Sequence, residues 1–377
     1  MGAHKERAEG LVAALHELGP GEGVSLAYRE MQVNLAQINP LDDKRFGDQG
    51  YLKSAPEGVA AQAGWGRLTS AHGIVNVSFA DVENNWRQSH TDFPPWLPSL
   101  NPVVGLRLGT EDARNHGASV LSVVMAVDNK FHIIGLATGL PQGSIRLASV
   151  NNGQSVNNVA NAIATVVQRG GMVAGDVLLI EVEREGRPVE LDCADFAAIY
   201  HAVNTNGIIV VEAAGNGNVD LNVAYQNYRC SFEAIQNASD SGAILVGAGH
   251  SLVEDSNHPA GHRRWTRDPK ASNYGSRVNC YAWGERVLTL RGTNTVADFN
   301  ATSAAAAVIA GMAILVQSLW KASHGGVPLS PTRMRDVLSN PDNGTPQYPT
   351  QLERQNNMLK AIGSMPDLAR VLPALGL

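Results

Sequence analysis

The sequence predicts an α/β fold of three layers, with a mostly parallel central sheet and helices on both of its faces. Runs such as Asp176–Val182 and Gly207–Ala213 are apolar almost throughout, without the in-out alternation of a half-exposed strand, as strands covered on both sides must be. Helical stretches separate these runs, and a strand–helix–strand alternation calls for right-handed crossovers between parallel strands. The run 304–316 is apolar on every side, and a helix of that kind has to be central.

Taken in order, residues 4–19 read as a helix, with Ala8, Leu11, Val12, Leu15 and Leu18 at helical spacing and Gly19-Pro20-Gly21 as its stop. A strand-like piece, 23–34, follows, and Asn39-Pro40 marks a break. One helix and one strand cannot bury their own apolar faces. Residues 1–46 are therefore expected to dock as a segment on the main domain, 47–377. That domain opens with a strand at 73–79 and a helix at 115–127. His132–Leu136 leads into a strand at 144–148, and a helix spans 156–169. The strand 176–182, a helix near 195–203, and strands at 207–213 and 243–247 complete the pattern. Residues 250–276 are rich in Asp, Asn, His, Pro and Arg and read as a surface loop.

Composition narrows the function classes. The chain has 377 residues, a net charge of −6 and no Lys/Arg-rich run, which argues against a nucleic-acid partner. Its longest apolar run, 13 residues, is shorter than a membrane span needs. Leu11–Leu15 is too short for the apolar core of an export signal, so the chain as written is expected in the cytoplasm, or outside the cell if its N-terminus is trimmed. Cys193, Cys230 and Cys280 form neither a disulfide framework nor a zinc pattern; three buried thiols, or one bridge and a thiol, both fit.

Active sites in parallel sheets lie at the carboxyl ends of the strands. The expected strand 73–79 runs directly into Asp81, a carboxylate placed to hold an imidazole, although an Asp after a strand is commonly a turn residue. His116 stands where a helix is expected to begin, followed by Gly117, which admits close approach of another segment; a lone His there is commonly structural. The strand 207–213 ends in Ala214-Gly215-Asn216, offering an amide donor of the kind a developing oxyanion requires, or simply a turn. Ser303 opens the apolar helix, where backbone N–H groups and the helix dipole favour negative charge, or where it serves as an ordinary cap. Each is ambiguous alone. Together, in the order Asp, His, Ser, they follow one of the known orders of a serine triad.

At these residues the chain resembles the subtilase family over roughly 47–377. His116-Gly-Ala-Ser-Val120 is similar to the family's histidine block, Ala213-Ala-Gly-Asn216 to its oxyanion block, and Ala301-Thr-Ser303 through Gly311 to its serine block. Gln49-Gly-Tyr-Leu52, the stretch Ala80–Trp86 with His90 and Asp92, and Ser272–Ser276 add to the likeness, and Glu83 with Trp86 resembles a bacterial subgroup. The resemblance implies a subtilisin-like serine endopeptidase acting on a peptide or protein substrate, without a cofactor for catalysis. It implies Ser303 as nucleophile, His116 as base, Asp81 as its orienting acid and Asn216 as oxyanion donor. It also implies substrate pairing along Ile180, Glu181 and Val182, a pocket lined by Gly215, and a structural calcium at Gln49, Asp92 and Asn129 with the carbonyls of Phe131 and Ile133. Residues 5–35 resemble the end of a propeptide. Ala301 and Ala307 depart from the family's Gly and Pro, and Glu181 and Glu183 from its Ser and Gly. Those two acids point either to a basic substrate or to a solvated edge. A non-catalytic binding module with a blocked cleft, and an acyl transferase using the same triad, are the competing functions.

Overall fold

The computed structural model describes residues 38–68, 76–153, 158–226, 230, 240–251, 262–356 and 358–377. The chain divides into two units, Met1–Gln37 and Ile38–Leu377, and the described residues all belong to the second. The helix and strand expected before residue 35 lie outside them. Residues 40–46, grouped with the N-terminal segment by sequence, are tied into the larger unit: the Lys44 and Arg45 N–H groups donate to the carbonyls of Phe131 and His132 at 3.1 and 2.7 Å.

Fourteen strands are described: β1 (Phe79–Glu83), β2 (Ile145–Ser149), β3 (Val177–Ile180), β4 (Glu183–Arg184), β5 (Arg187–Pro188), β6 (Ile209–Ala213), β7 (Ile244–Gly249), β8 (Thr266–Arg267), β9 (Lys270–Ala271), β10 (Cys280–Trp283), β11 (Val287–Arg291), β12 (Thr295–Phe299), β13 (Gly344–Pro346) and β14 (Ser364–Pro366). The helices are α1 (Ala61–Trp65), α2 (Glu111–Met125), α3 (Val159–Arg169), α4 (Cys193–Asn204), α5 (Leu221–Gln226), α6 (Ala301–Ser323), α7 (Pro331–Ser339), α8 (Gln351–Asn356) and α9 (Leu368–Ala374). Eight strands form the central sheet in the order β13-β14-β10-β7-β6-β3-β1-β2, all parallel except the edge strand β13. The three-layer α/β expectation holds.

Helices α2 and α6 cover one face and build a core with Phe79, Leu121, Val211 and Val246; α3 and α4 cover the other with Val82, Ile163, Leu178 and Ile199. Each Val, Leu or Ile so buried contributes about 1.5–3 kcal/mol before the entropic cost of folding. Helix α6 is long and apolar enough to suit a membrane span, yet its whole apolar window is buried within the protein. Thr110 caps α2 by accepting from the Ala113 N–H at 3.2 Å, with Glu111 and Asp112 in the first turn complementing the dipole.

Local boundaries shift in ways that matter for the site. Strand β1 begins at Phe79 and runs to Glu83, where sequence placed its end at Phe79. Asp81 is thus a mid-strand residue. Helix α2 begins at Glu111, so His116 lies in its second turn and not at its start. Sequence also missed the small hairpins β4–β5, β8–β9 and β11–β12, whose short mixed runs carry no clear period. Cys193 and Cys230 form a disulfide and Cys280 is a buried thiol, which settles the open question of three thiols or one bridge.

A second buried charge system lies under β6. Arg277 donates to Glu190 Oε2 at 2.8 Å, and Tyr225 and Ser241 also bond the Glu190 carboxylate.

Ala301, which stands where the family carries Gly, has φ +78°, a left-handed conformation that costs an L-residue about 1–2 kcal/mol. Ala301→Gly is therefore expected to stabilise the protein by about 1 kcal/mol, after allowing for the extra freedom of Gly in the unfolded chain. Denaturant unfolding measures it; a variant less stable than wild type would show that the strain is not carried at this residue.

Candidate active site

Side chains of a strand alternate between faces, so Asp81 and Glu83 share one face of β1 and Glu83 stands one step nearer the carboxyl end. That step decides which acid meets the histidine. The Glu83 Oε2 oxygen contacts His116 Nδ1, while Glu83 Oε1 accepts from the Asn84 N–H at 2.7 Å. Asp81 Oδ2 instead accepts from the Trp86 indole N–H at 2.7 Å, and its other oxygen is buried without a partner. Asp81 is thus corrected as the residue on the imidazole: it lies too deep in the sheet, and Glu83 takes that position. Residue type and face offered Glu83 as readily as Asp81; the length of β1 decides between them.

Gly117 permits this packing. A Cβ there would lie 2.2 Å from the Asn85 carbonyl and against the Trp86 ring, so only Gly lets the segment after β1 sit against α2. Phe299 on β12 closes the other side of the imidazole, edge to face at 5.2 Å. Burial taken alone lowers the His116 pKa, but the Glu83 carboxylate outweighs it and raises the pKa above the ordinary value. With Nδ1 turned to Glu83, Nε2 is the nitrogen left to accept a proton.

Ser303 sits in the first turn of α6 and is 6% exposed. Asn216 is bound to the same helix end: its Oδ1 accepts from both the N–H and the hydroxyl of Thr302, each at 3.0 Å. The amide N–H₂ of Asn216 and the N-terminus of α6 are thereby held beside Ser303. Among the described residues no hydrogen bond joins His116 to Ser303. The Ser303 hydroxyl lies against Glu181, where it favours the charged form, although neither Glu181 oxygen has a hydrogen bond of regular geometry. Burial, followed by repulsion from Asp81 and Glu83, raises the Glu181 pKa well above the usual carboxylate range, and burial with repulsion from Glu83 does the same to Asp81.

The substrate-binding residues expected from sequence are placed differently. Ile180 pairs with Val82 on one side and Glu212 on the other, and the Glu181 N–H donates to the Val82 carbonyl at 3.2 Å. Both are buried inside the sheet, where their main chain cannot pair with a peptide; Val182 lies just beyond it. Gly215, at φ +87°, is covered by the β4–β5 hairpin: a Cβ there would lie 2.6 Å from the Gly186 carbonyl. Sequence reasoning also missed the role of Glu183 on that hairpin. Its Oε2 accepts from Asn216 twice, from the backbone N–H at 2.9 Å and the side-chain N–H at 2.8 Å.

The expected calcium ligands are only partly suited to a cation. Gln49 Oε1 accepts from the Ile134 N–H at 3.0 Å and Asn129 Oδ1 from the Phe131 N–H at 3.0 Å, so both oxygens are committed to main-chain donors. Asp92 Oδ2 accepts from His132 and Ile133, and its Oδ1 is buried without a partner. Beside it Asp42, Asp43 and Asp128 bring one oxygen each within 4.8 Å of one another. Burial, then repulsion from Asp128, raises the Asp43 pKa to about 6. His258 lies outside the described residues, and His262 turns its two ring nitrogens to the carbonyls of His250 and Pro56, so it is no ligand.

Comparison with known proteins gives the same fold and family. The subtilase family model matches residues 87–357. Subtilisin DY of Bacillus licheniformis is 25% identical over 268 residues, covering 70% of this chain and 83% of that protein. M-protease of Shouchella clausii is 25% identical over 214 residues, and the chain spans less than half of it, 46%. Among solved structures, a protease of Pseudoalteromonas arctica superposes with a TM-score of 0.59 at 19% identity, covering 88% of this chain and 98% of that one. The prenylagaramide maturation protease PagA superposes at 0.55 with 16% identity, over 84% and 98% of the two chains. At those identities the superpositions speak to the fold alone. The family match covers more than half of the chain, and the protein belongs to the subtilase family of serine endopeptidases.

Proposed function

We propose that Ser303 attacks the carbonyl of a peptide bond, with His116 as general base and Glu83 holding the imidazole. The contact between Glu83 and His116 Nδ1 carries this reading, because it fixes the tautomer in which Nε2 can take the Ser303 proton. The bond between His116 and Ser303 would form on substrate binding, as catalytic hydrogen bonds often tighten only then. The Asn216 amide and the Ser303 backbone N–H would hold the oxyanion at the positive end of α6. His116 would then return the proton to the departing amine, leaving an acyl-enzyme for water to hydrolyse. A substrate chain would pair beyond the end of β3, at Val182. The Cys193–Cys230 disulfide supports a working place more oxidising than the cytosol.

A structural calcium is also proposed, with an altered donor set: Asp42, Asp43 and Asp128. An ion there would relieve the repulsion among carboxylates with unpartnered oxygens. Added calcium is expected to raise the wild-type unfolding temperature and to have little effect on Asp43→Asn. No rise in the wild type would dismiss the ion.

Replacing the acid on the histidine tests the triad. Glu83→Gln should lower kcat about 10⁴-fold by allowing the wrong tautomer, as loss of a triad carboxylate does. Asp81→Asn should cost far less, since Asp81 meets Trp86 and not the imidazole. Equal losses in kinetic assays would return the orienting role to Asp81.

Glu181 gives a pH prediction. Its folded pKa is raised, so the buried neutral acid costs nothing extra at low pH, and stability falls as pH rises from the unfolded value of about 4.5 through the folded one. Glu181→Gln should flatten that fall, and denaturant unfolding across pH measures it; an unchanged slope would show that Glu181 is not its source.

A further inference from the structure

One of the donors that the proposed mechanism assigns to the oxyanion, the Asn216 side-chain amide, already has an acceptor. Glu183 Oε2 accepts from the Asn216 side chain at 2.8 Å and from its backbone N–H at 2.9 Å. A carboxylate oxygen, like the oxygen of a tetrahedral intermediate, is an anionic acceptor of such bonds. It is therefore a direct competitor for the Asn216 side-chain amide.

The hairpin that carries Glu183 is pinned in place. Arg184 Nε donates to Asp195 Oδ2 at 2.6 Å, and the Gly186 carbonyl accepts from the Gly217 N–H at 2.9 Å and from Asn273 Nδ2 at 2.7 Å. The backbone presents the carboxylate to Asn216, while the exposed side chain retains freedom to leave. Once it leaves, the carboxylate needs a new partner, since Glu83 already holds Nδ1 of His116.

We propose that Glu183 is a specificity-determining residue: it occupies the side-chain amide of Asn216 in the free protein and yields it to a peptide that brings a cationic side chain beside the scissile bond. A Lys or Arg on the substrate gives the displaced carboxylate a new partner. A neutral peptide must displace Glu183 from that amide with nothing in return. The inference rests on the peptidase reading above.

The test uses two fluorogenic peptides that differ only in Arg or Gln before the cleaved bond, assayed with the full chain, Glu183→Ala and Ser303→Ala. A fluorophosphonate probe of neutral charge is applied to each protein in parallel. Wild type should cleave the Arg peptide roughly tenfold faster in kcat/KM, the worth of one partly exposed charge contact. Glu183→Ala should bring the two peptides to about equal rates by gaining on the Gln peptide, and should label faster than wild type. Equal rates in wild type, an unchanged ratio in the variant, or a loss on both peptides would overturn the assignment while labelling of Ser303 persisted. Absence of labelling in folded wild type and Glu183→Ala alike would instead defeat the peptidase reading itself.

Discussion

Burying α6 on every side forces the sheet on one flank and α2 on the other to close around it. Its N-terminal end then has one outlet, at the carboxyl ends of β3, β6 and β7, and Ser303 emerges there. Because the helix dipole and the free N–H groups of its first turn come with it, the same packing that stabilises the core also sets the electrostatics of the site. Thr302 ties Asn216 to that end, so the donor and the nucleophile are positioned by one element. The strained Ala301 is the joint by which the chain turns into the helix from β12.

Carboxylates are treated in two ways in this molecule. Under β6, Glu190 is matched by the permanent charge of Arg277 and by two hydroxyls. At the active end, Asp81 and Glu83 both act on His116, and Glu181 lies within reach of the two acids. Burial and mutual repulsion push the pKa values of Asp81 and Glu181 up, which favours their neutral forms and leaves Glu83 as the acid set against the imidazole. Replacing the family's smaller residues at 181 and 183 by Glu is thus not surface decoration. One acid is buried against Ser303 and the other is bonded to Asn216.

The sheet and the central helix were legible because each leaves a local signal. Uniformly apolar runs mark buried strands, an all-apolar helix marks the core, and small residues mark the close approaches at Gly117 and Gly215. The β4–β5 hairpin left no such mark. Its strands are two residues long, too short for a period, and the contacts that hold it reach to Asp195, Gly217 and Asn273. The expected calcium ligands meet a related limit: residue type says oxygen, but whether that oxygen is already bonded depends on main chain brought in from 131 and 134.

The exchange of Asp81 for Glu83 shows how little separates a correct site from a wrong one. Ending the strand at 79 made Asp81 the first residue beyond it but one, which is where a catalytic acid belongs. Extending it to 83 keeps the same face and moves the active position forward by two residues, about 6–7 Å along the strand. The longer Glu side chain then reaches the imidazole from the strand's last residue, with Trp86 folded back to satisfy the Asp it displaced. Face and residue type could be read from the sequence. Depth could not, because it depends on which residues of β2 and β3 pair with β1, and that register is set by the whole sheet.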